Sequence, residues 1–144
     1  MSIFEGFFAG SERAFYYGHT FTGNPLGAAV ALEVLRVYEE EAILERAALK
    51  AERIRRAFAS FTELPGVSVT RSLGMIGALE LGGEGGYLQR SGLAVCREAR
   101  RRGAYLRPLG NVIYIAPALN IGDADLEELL GIVRESVLAV TQSC

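Results

Sequence analysis

From Asn24 to Phe61 the chain reads NPLGAAVALEVLRVYEEEAILERAALKAERIRRAFASF, and shortly afterwards Leu64, Pro65 and Gly66 interrupt it. No other stretch constrains the fold as strongly. Ala, Leu, Glu and Arg enter a helix at little conformational cost, whereas a Pro-Gly pair cannot continue one. Leu26, Val30, Val34 and Val37, then Leu44, Ala48, Ile54 and Phe58, form the apolar pattern and are expected to face inward. The acidic cluster Glu39, Glu40 and Glu41 marks the junction, so the spacing predicts two helices rather than one.

Beyond the stop, Val67 to Ser72 alternates Val, Ser, Val, Thr as a half-buried strand does, and a turn at Leu73 and Gly74 pairs it with Met75 to Leu81. Gly82, Gly83, Gly85 and Gly86 read as a flexible connection. They lack the GxGxxG spacing or following lysine of a Rossmann or Walker loop. Tyr87 to Arg102 suits a third helix, with Leu88, Leu93, Val95, Cys96 and Ala99 inward and Gly103 as its stop. Two short strands, Ala104 to Pro108 and Val112 to Pro117, flank the Leu109-Gly110-Asn111 turn. Asp123 is the expected cap of a last helix carrying Leu126, Leu129, Leu130, Val133, Val137 and Val140. The order ααββαββα predicts an α+β fold, helices on one face of a mainly antiparallel sheet. Residues 24–144 read as one domain and 1–23 as an N-terminal extension.

Chemistry concentrates at two places. In FYYGHTFTGNPLG, Phe15 to Gly27, Gly18 lets a backbone approach a ligand closely. Thr20 and Thr22 offer hydroxyls, Asn24 can cap, and Pro25 suits the first helical position. Such a helix start either binds an anion, phosphate above all, or is simply a capped helix after a turn. At the second place, Pro108 biases Arg107 toward extended backbone and Gly110 permits a turn. Arg107 is therefore either a surface arginine or a rigidly mounted fork for a carboxylate.

Other residues narrow the function by exclusion. A net charge of −2 gives no overall field for nucleic acid or membrane, and Arg100, Arg101 and Arg102 suit the solvated last turn of a helix. Cys96 and Cys144 have neither metal-ligand nor disulfide-framework spacing and point to a reducing, cytoplasmic setting. His19 has no second His or Cys beside it in the pattern, so no metal site or catalytic dyad is supported and a local contact is expected. Asp123, Asp125, Glu127 and Glu128 suit a helix first turn better than acid catalysis. Tyr16, Tyr17 and Tyr114 fit either packing or a substrate pocket. The single lysine, Lys50, lies among charged neighbours at helical spacing and is expected to be a solvated ammonium.

The order Gly18-x-Thr20-Phe21-x-Gly23-Asn24-Pro25-Leu26 resembles the motif of class III (omega-type) aminotransferases, pyridoxal phosphate enzymes of fold type I. YLRPLGNVIYIAP, Tyr105 to Pro117, is similar to the strand-turn-strand of the branch that aminates 8-amino-7-oxononanoate with S-adenosylmethionine in biotin biosynthesis. Gly27 and Ala116-Pro117-Ala118 depart from common family forms. The resemblance implies the C-terminal small domain of such an enzyme. It further implies that Gly18 and Thr20 contact the pyridoxal phosphate of a neighbouring subunit in a homodimer, and that Arg107 binds the substrate carboxylate. The family's cofactor-bearing lysine has no counterpart here, since Lys50 does not match it, so no catalytic residue is assigned. Two further readings remain: a non-catalytic dimerisation or binding domain, and part of another class III omega-aminotransferase. A small domain without its large one would expose apolar surface and self-associate.

Overall fold

The computed structural model describes residues 3–8, 10–83 and 90–142. It separates into two compact units, Met1–Val37 and Tyr38–Cys144. The first contains a short helix α1 (Ile3–Gly6), a single 3-10 turn at Ser11–Arg13 and most of α2 (Pro25–Glu40). No residue of α2 is buried among the described residues, and Leu26, expected inward, is 76% exposed. Val30 and Val34 of the same stripe are exposed as well.

The second unit is built from α3 (Ile43–Phe61), β1 (Val67–Leu73), β2 (Ile76–Leu81), α4 (Ser91–Arg101), β3 (Arg107–Leu109), β4 (Val112–Ile115) and α5 (Asp123–Thr141). The strands form one antiparallel sheet in the order β1-β2-β4-β3. Alternation decides which face is covered. Leu79, Leu81, Ile113 and Ile115 are buried with Ile54, Phe58, Val95, Ala99, Leu126, Leu130, Val133 and Val137 of the three helices. The α+β expectation therefore holds, with the helices on one sheet face. The opposite face carries the register row Arg71, Ala78, Tyr114, Arg107 across all four strands.

Helix-to-sheet distance is set partly by Gly77. A Cβ there would lie 2.4 Å from Cε2 of Phe58, so the ring rests directly on strand backbone. In α3 the buried stripe is Ile43, Ala47, Lys50, Ile54, Phe58 and Phe61, not the phase through Leu44 and Ala48. Leu44 and Ile54 are ten positions apart, which at about 100° per residue leaves them roughly 80° out of line. Leu44 accordingly faces outward.

Lys50 is the main correction. It is only 4% exposed, and its Nζ lies 3.5 Å from the carbonyl oxygen of Leu119, a long hydrogen bond to the segment leading into α5. Its aliphatic stem occupies an apolar position of the stripe, as long lysine side chains can. Asp123 does not cap α5 either: Gly122 is the cap residue, without a side-chain bond. Instead the Asp123 carboxylate accepts a 2.7 Å hydrogen bond from Arg53 of α3, which also pairs with Glu127 one turn later. Leu93, expected inward, lies at the edge of exposure, whereas Val95, Cys96 and Ala99 are buried as expected. Leu88 and Cys144 fall outside the described residues.

Candidate functional site

In the first unit, the loop before α2 is held by its own side chains. The His19 backbone N–H donates to Thr22 Oγ1 at 2.8 Å, and the Phe21 N–H donates to His19 Nδ1 at 3.2 Å. His19 thus makes a local contact, with Tyr17 edge-on to its ring at 6.2 Å between centroids. Asn24 Oδ1 accepts the N–H of Leu26 at 3.0 Å, the cap read from the sequence. These bonds use Thr22 and Asn24 internally. Thr20 is different: neither its N–H nor its hydroxyl bonds a described residue, and the side chain is exposed. A Cβ on Gly18 would meet only Thr22 Oγ1, at 3.9 Å. Nothing within the loop therefore demands glycine there.

In the second unit, Arg107 opens β3 and stands directly across from Tyr114 of β4. Three features fix the turn that follows it. Gly110 adopts φ +64°, in the left-handed region that favours glycine. The Asn111 side chain is buried and donates from Nδ2 to the Leu81 carbonyl at 2.8 Å and to Glu80 Oε1 at 3.3 Å, while the Leu81 N–H donates to the Asn111 carbonyl at 3.0 Å. Gly92 in the first turn of α4 completes the clamp: a Cβ there would sit 2.4 Å from the Gly110 carbonyl oxygen and 3.1 Å from Pro108 Cβ. The guanidinium of Arg107 has no hydrogen-bond or ion-pair partner among the described residues. A rigid mount thus presents an unpaired cation.

Two clefts meet at Arg107. One, of about 300 Å³, opens toward β4 and α5 and includes Tyr114, Ile115, Ala116, Pro117 and Leu129. The other, of about 310 Å³, opens toward α4 and includes Cys96, Arg97, Arg100 and Pro108. Burial pushes the Cys96 thiol up to about 11, so it is a protonated wall and not a nucleophile near neutral pH. Among the described residues no group of His, Cys, Asp and Glu could hold a metal ion. No described helix is long and apolar enough to cross a membrane.

Arg107 and Tyr114 were legible as candidates in sequence, and the structure pairs them. Asn111 and Gly92, which hold the turn, carried no more signal than a polar residue after a turn glycine and a small residue early in a helix. Thr20 and Gly18 belong to the other unit.

Residues 2–137 match the class-III aminotransferase family, and the chain belongs to it. It is similar to the adenosylmethionine-8-amino-7-oxononanoate aminotransferase of Nitratidesulfovibrio vulgaris, at 39% identity over 97% of this chain and 27% of the relative. The solved structure of the aminotransferase of that name from Methanocaldococcus jannaschii superposes with a TM-score of 0.79 at 27% identity, covering 93% of this chain and 32% of that one. A thermostable omega transaminase mutant from Pseudomonas jessenii superposes with a TM-score of 0.80 at 29% identity, over 90% of this chain and 30% of that one. The chain thus spans about three tenths of the length of the relatives it matches.

Proposed function

We propose that this chain serves as the C-terminal portion of a homodimeric, cytoplasmic aminotransferase that moves an amino group from S-adenosylmethionine to 8-amino-7-oxononanoate. In this reading residues 24–144 are the small domain with its leading helix, and 1–23 carry the phosphate loop. The observation that carries it is Arg107: an unpaired guanidinium on a clamped strand end, beside Tyr114, within a segment similar to the biotin-pathway enzymes. A carboxylate of the acceptor would take two parallel N–H donors there, which fixes its orientation as well as its affinity. Tyr114 and Pro117 would wall its aliphatic chain.

The loop fits the phosphate of pyridoxal phosphate, because Thr20 keeps both an N–H and a hydroxyl unspent and Gly18 leaves the approach open. When bound, that cofactor supplies the carbonyl that takes up and releases the amino group. Gly18 and Thr20 would hold its phosphate from the neighbouring subunit. Lys50 takes no part, since its amine is turned onto Leu119 inside the sheet unit.

A chimera testing this reading joins the chain to the remaining portion of the Nitratidesulfovibrio vulgaris relative. It is expected to aminate 8-amino-7-oxononanoate. Arg107→Ala should raise the KM for that acceptor roughly 100-fold, the scale of a lost bidentate charge-assisted contact, without changing cofactor absorbance. An unchanged KM would redirect the assignment to an omega-amine substrate lacking the carboxylate. A second reading, a non-catalytic dimerisation unit, is favoured by the exposed apolar stripe of α2. Sedimentation of the 144-residue chain as a monomer would count against it.

A further inference from the structure

The arginines of the sheet unit divide into two groups. Arg53, Arg55, Arg56, Arg71, Arg101, Arg102 and Arg134 each face a carboxylate within the ion-pair limit. Arg46, Arg90, Arg97 and Arg100 do not pair with an acid among the described residues; Arg46 lines a cleft that includes Asp123, whereas Arg97 and Arg100 share one with Arg107, which is also unpaired. No carboxylate lines that cleft. The nearest acid in sequence, Glu98, is engaged elsewhere: Arg101 and then Arg102 hold its carboxyl below the usual range, through hydrogen bonds of 3.1 and 3.0 Å.

Like charges three apart on a helix repel, and a third cation from β3 adds to the repulsion. The arrangement is nevertheless ordered. The Arg100 guanidinium lies 4.9 Å from the centroid of the Tyr105 ring, a cation–π contact. Leu93, Cys96, Leu106 and Pro108 supply the apolar part of the cleft wall. At about 310 Å³ the cleft lies at the small end of ligand sites, too small for a nucleotide and suited to a compact anion.

We propose that the cleft between α4 and β3 binds a compact multivalent oxyanion, held by Arg97 and Arg100 with Arg107 at its edge, as a site separate from the Tyr114 side of Arg107. The ligand class is a small phosphorylated or polycarboxylated metabolite carrying at least two adjacent negative groups. One such group bridges Arg97 and Arg100, and the second reaches Arg107.

Inorganic pyrophosphate titrated into the 144-residue chain is the test, followed by calorimetry and by the arginine Nε–H signals in an NMR spectrum. Saturable one-to-one binding is expected, weakening by about ten-fold for each of Arg97→Ala and Arg100→Ala, in proportion to a lost charge-assisted contact. Both side chains are exposed, so neither variant threatens the core. Arg55→Ala, in which an acid-paired arginine is lost from α3, should leave the affinity unchanged. Heat that is matched by sodium chloride at equal ionic strength, or affinity that survives in Arg97→Ala/Arg100→Ala, would overturn the site. The carboxylate role of Arg107 is read separately from the acceptor KM in the chimera, so either proposal can fail while the other stands.

Discussion

Two helical glycines offer a matched test of how the Arg107 turn is held. Gly92 lies in the first turn of α4 and Gly131 within α5, and both have ordinary negative φ. On helix propensity alone, Gly→Ala would stabilise either helix by up to about 1 kcal/mol. At Gly131 nothing lies within 4 Å of an added Cβ, so propensity decides, and Gly131→Ala should gain about 0.5–1 kcal/mol. At Gly92 the Cβ would lie 2.4 Å from the backbone oxygen of Gly110, and backbone cannot swing aside as a side-chain tip can. Overpacking typically costs about 1–3 kcal/mol, and a clash with backbone belongs in the upper half of that range. Subtracting the propensity gain leaves a net loss of about 1–2 kcal/mol for Gly92→Ala. Urea unfolding of the chain followed by far-ultraviolet circular dichroism measures both. The slope of free energy against denaturant should stay constant while the midpoints move in opposite directions. If Gly92→Ala proved as stable as the parent, α4 would not be clamping the turn, and the rigid mounting inferred for Arg107 would go with it.

The packing of α3 predicts that Gly77→Ala costs about 2 kcal/mol through the Phe58 ring, and that Phe58→Leu in the same chain recovers part of that loss. Strictly additive melting shifts would refute the contact. Lys50→Met should keep stability within about 1 kcal/mol of the parent or raise it, because an apolar side chain of similar length replaces a buried ammonium that has one long hydrogen bond. A loss above about 2 kcal/mol would mean that the ammonium has a stronger partner. For Cys96 the ordinary thiol value near 9.0 rises to about 11. Between those pH values the unfolded chain gives up the thiol proton while the folded chain keeps it. Stability therefore falls as pH rises through that window. Cys96→Ala should show a shallower decline there, and identical profiles would contradict the burial argument.

What could be read from sequence divides along the distance over which each feature is determined. Helices α2, α3 and α5, the β1–β2 hairpin and the Arg107-Pro108-Leu109-Gly110 turn were legible, because propensity, proline and glycine act within a few residues. The phase of α3 was legible only in its second half, where Ile54 and Phe58 are buried as expected. Leu44 and Leu49 are exposed leucines, while Lys50 lies in the buried stripe, so simple hydrophobic counting points the wrong way. Asp123 was misread for a related reason. A cap is a local bond, but its carboxylate is taken by Arg53, 70 positions earlier in the chain.

The candidate site shows the same division, with consequences for function. The chemistry of Arg107 can be named from its type and its flanking proline, but its rigidity comes from Asn111 reaching β2 and from Gly92 pressed against Gly110. Neither contact leaves a periodic trace. The unpaired state of Arg97 and Arg100 is likewise invisible in sequence, where Glu98 appears available to both. On the helix it serves Arg101 and Arg102, three and four positions on, with its own carboxyl held low by that pairing. Arg97 precedes Glu98 directly and lines a cleft with it, but makes no ion pair with it. The distribution of carboxylates, more than the number of arginines, therefore determines where this chain can receive an anion. By that criterion the β3 end of the sheet is the receiving edge, and the paired cations of α3 are not.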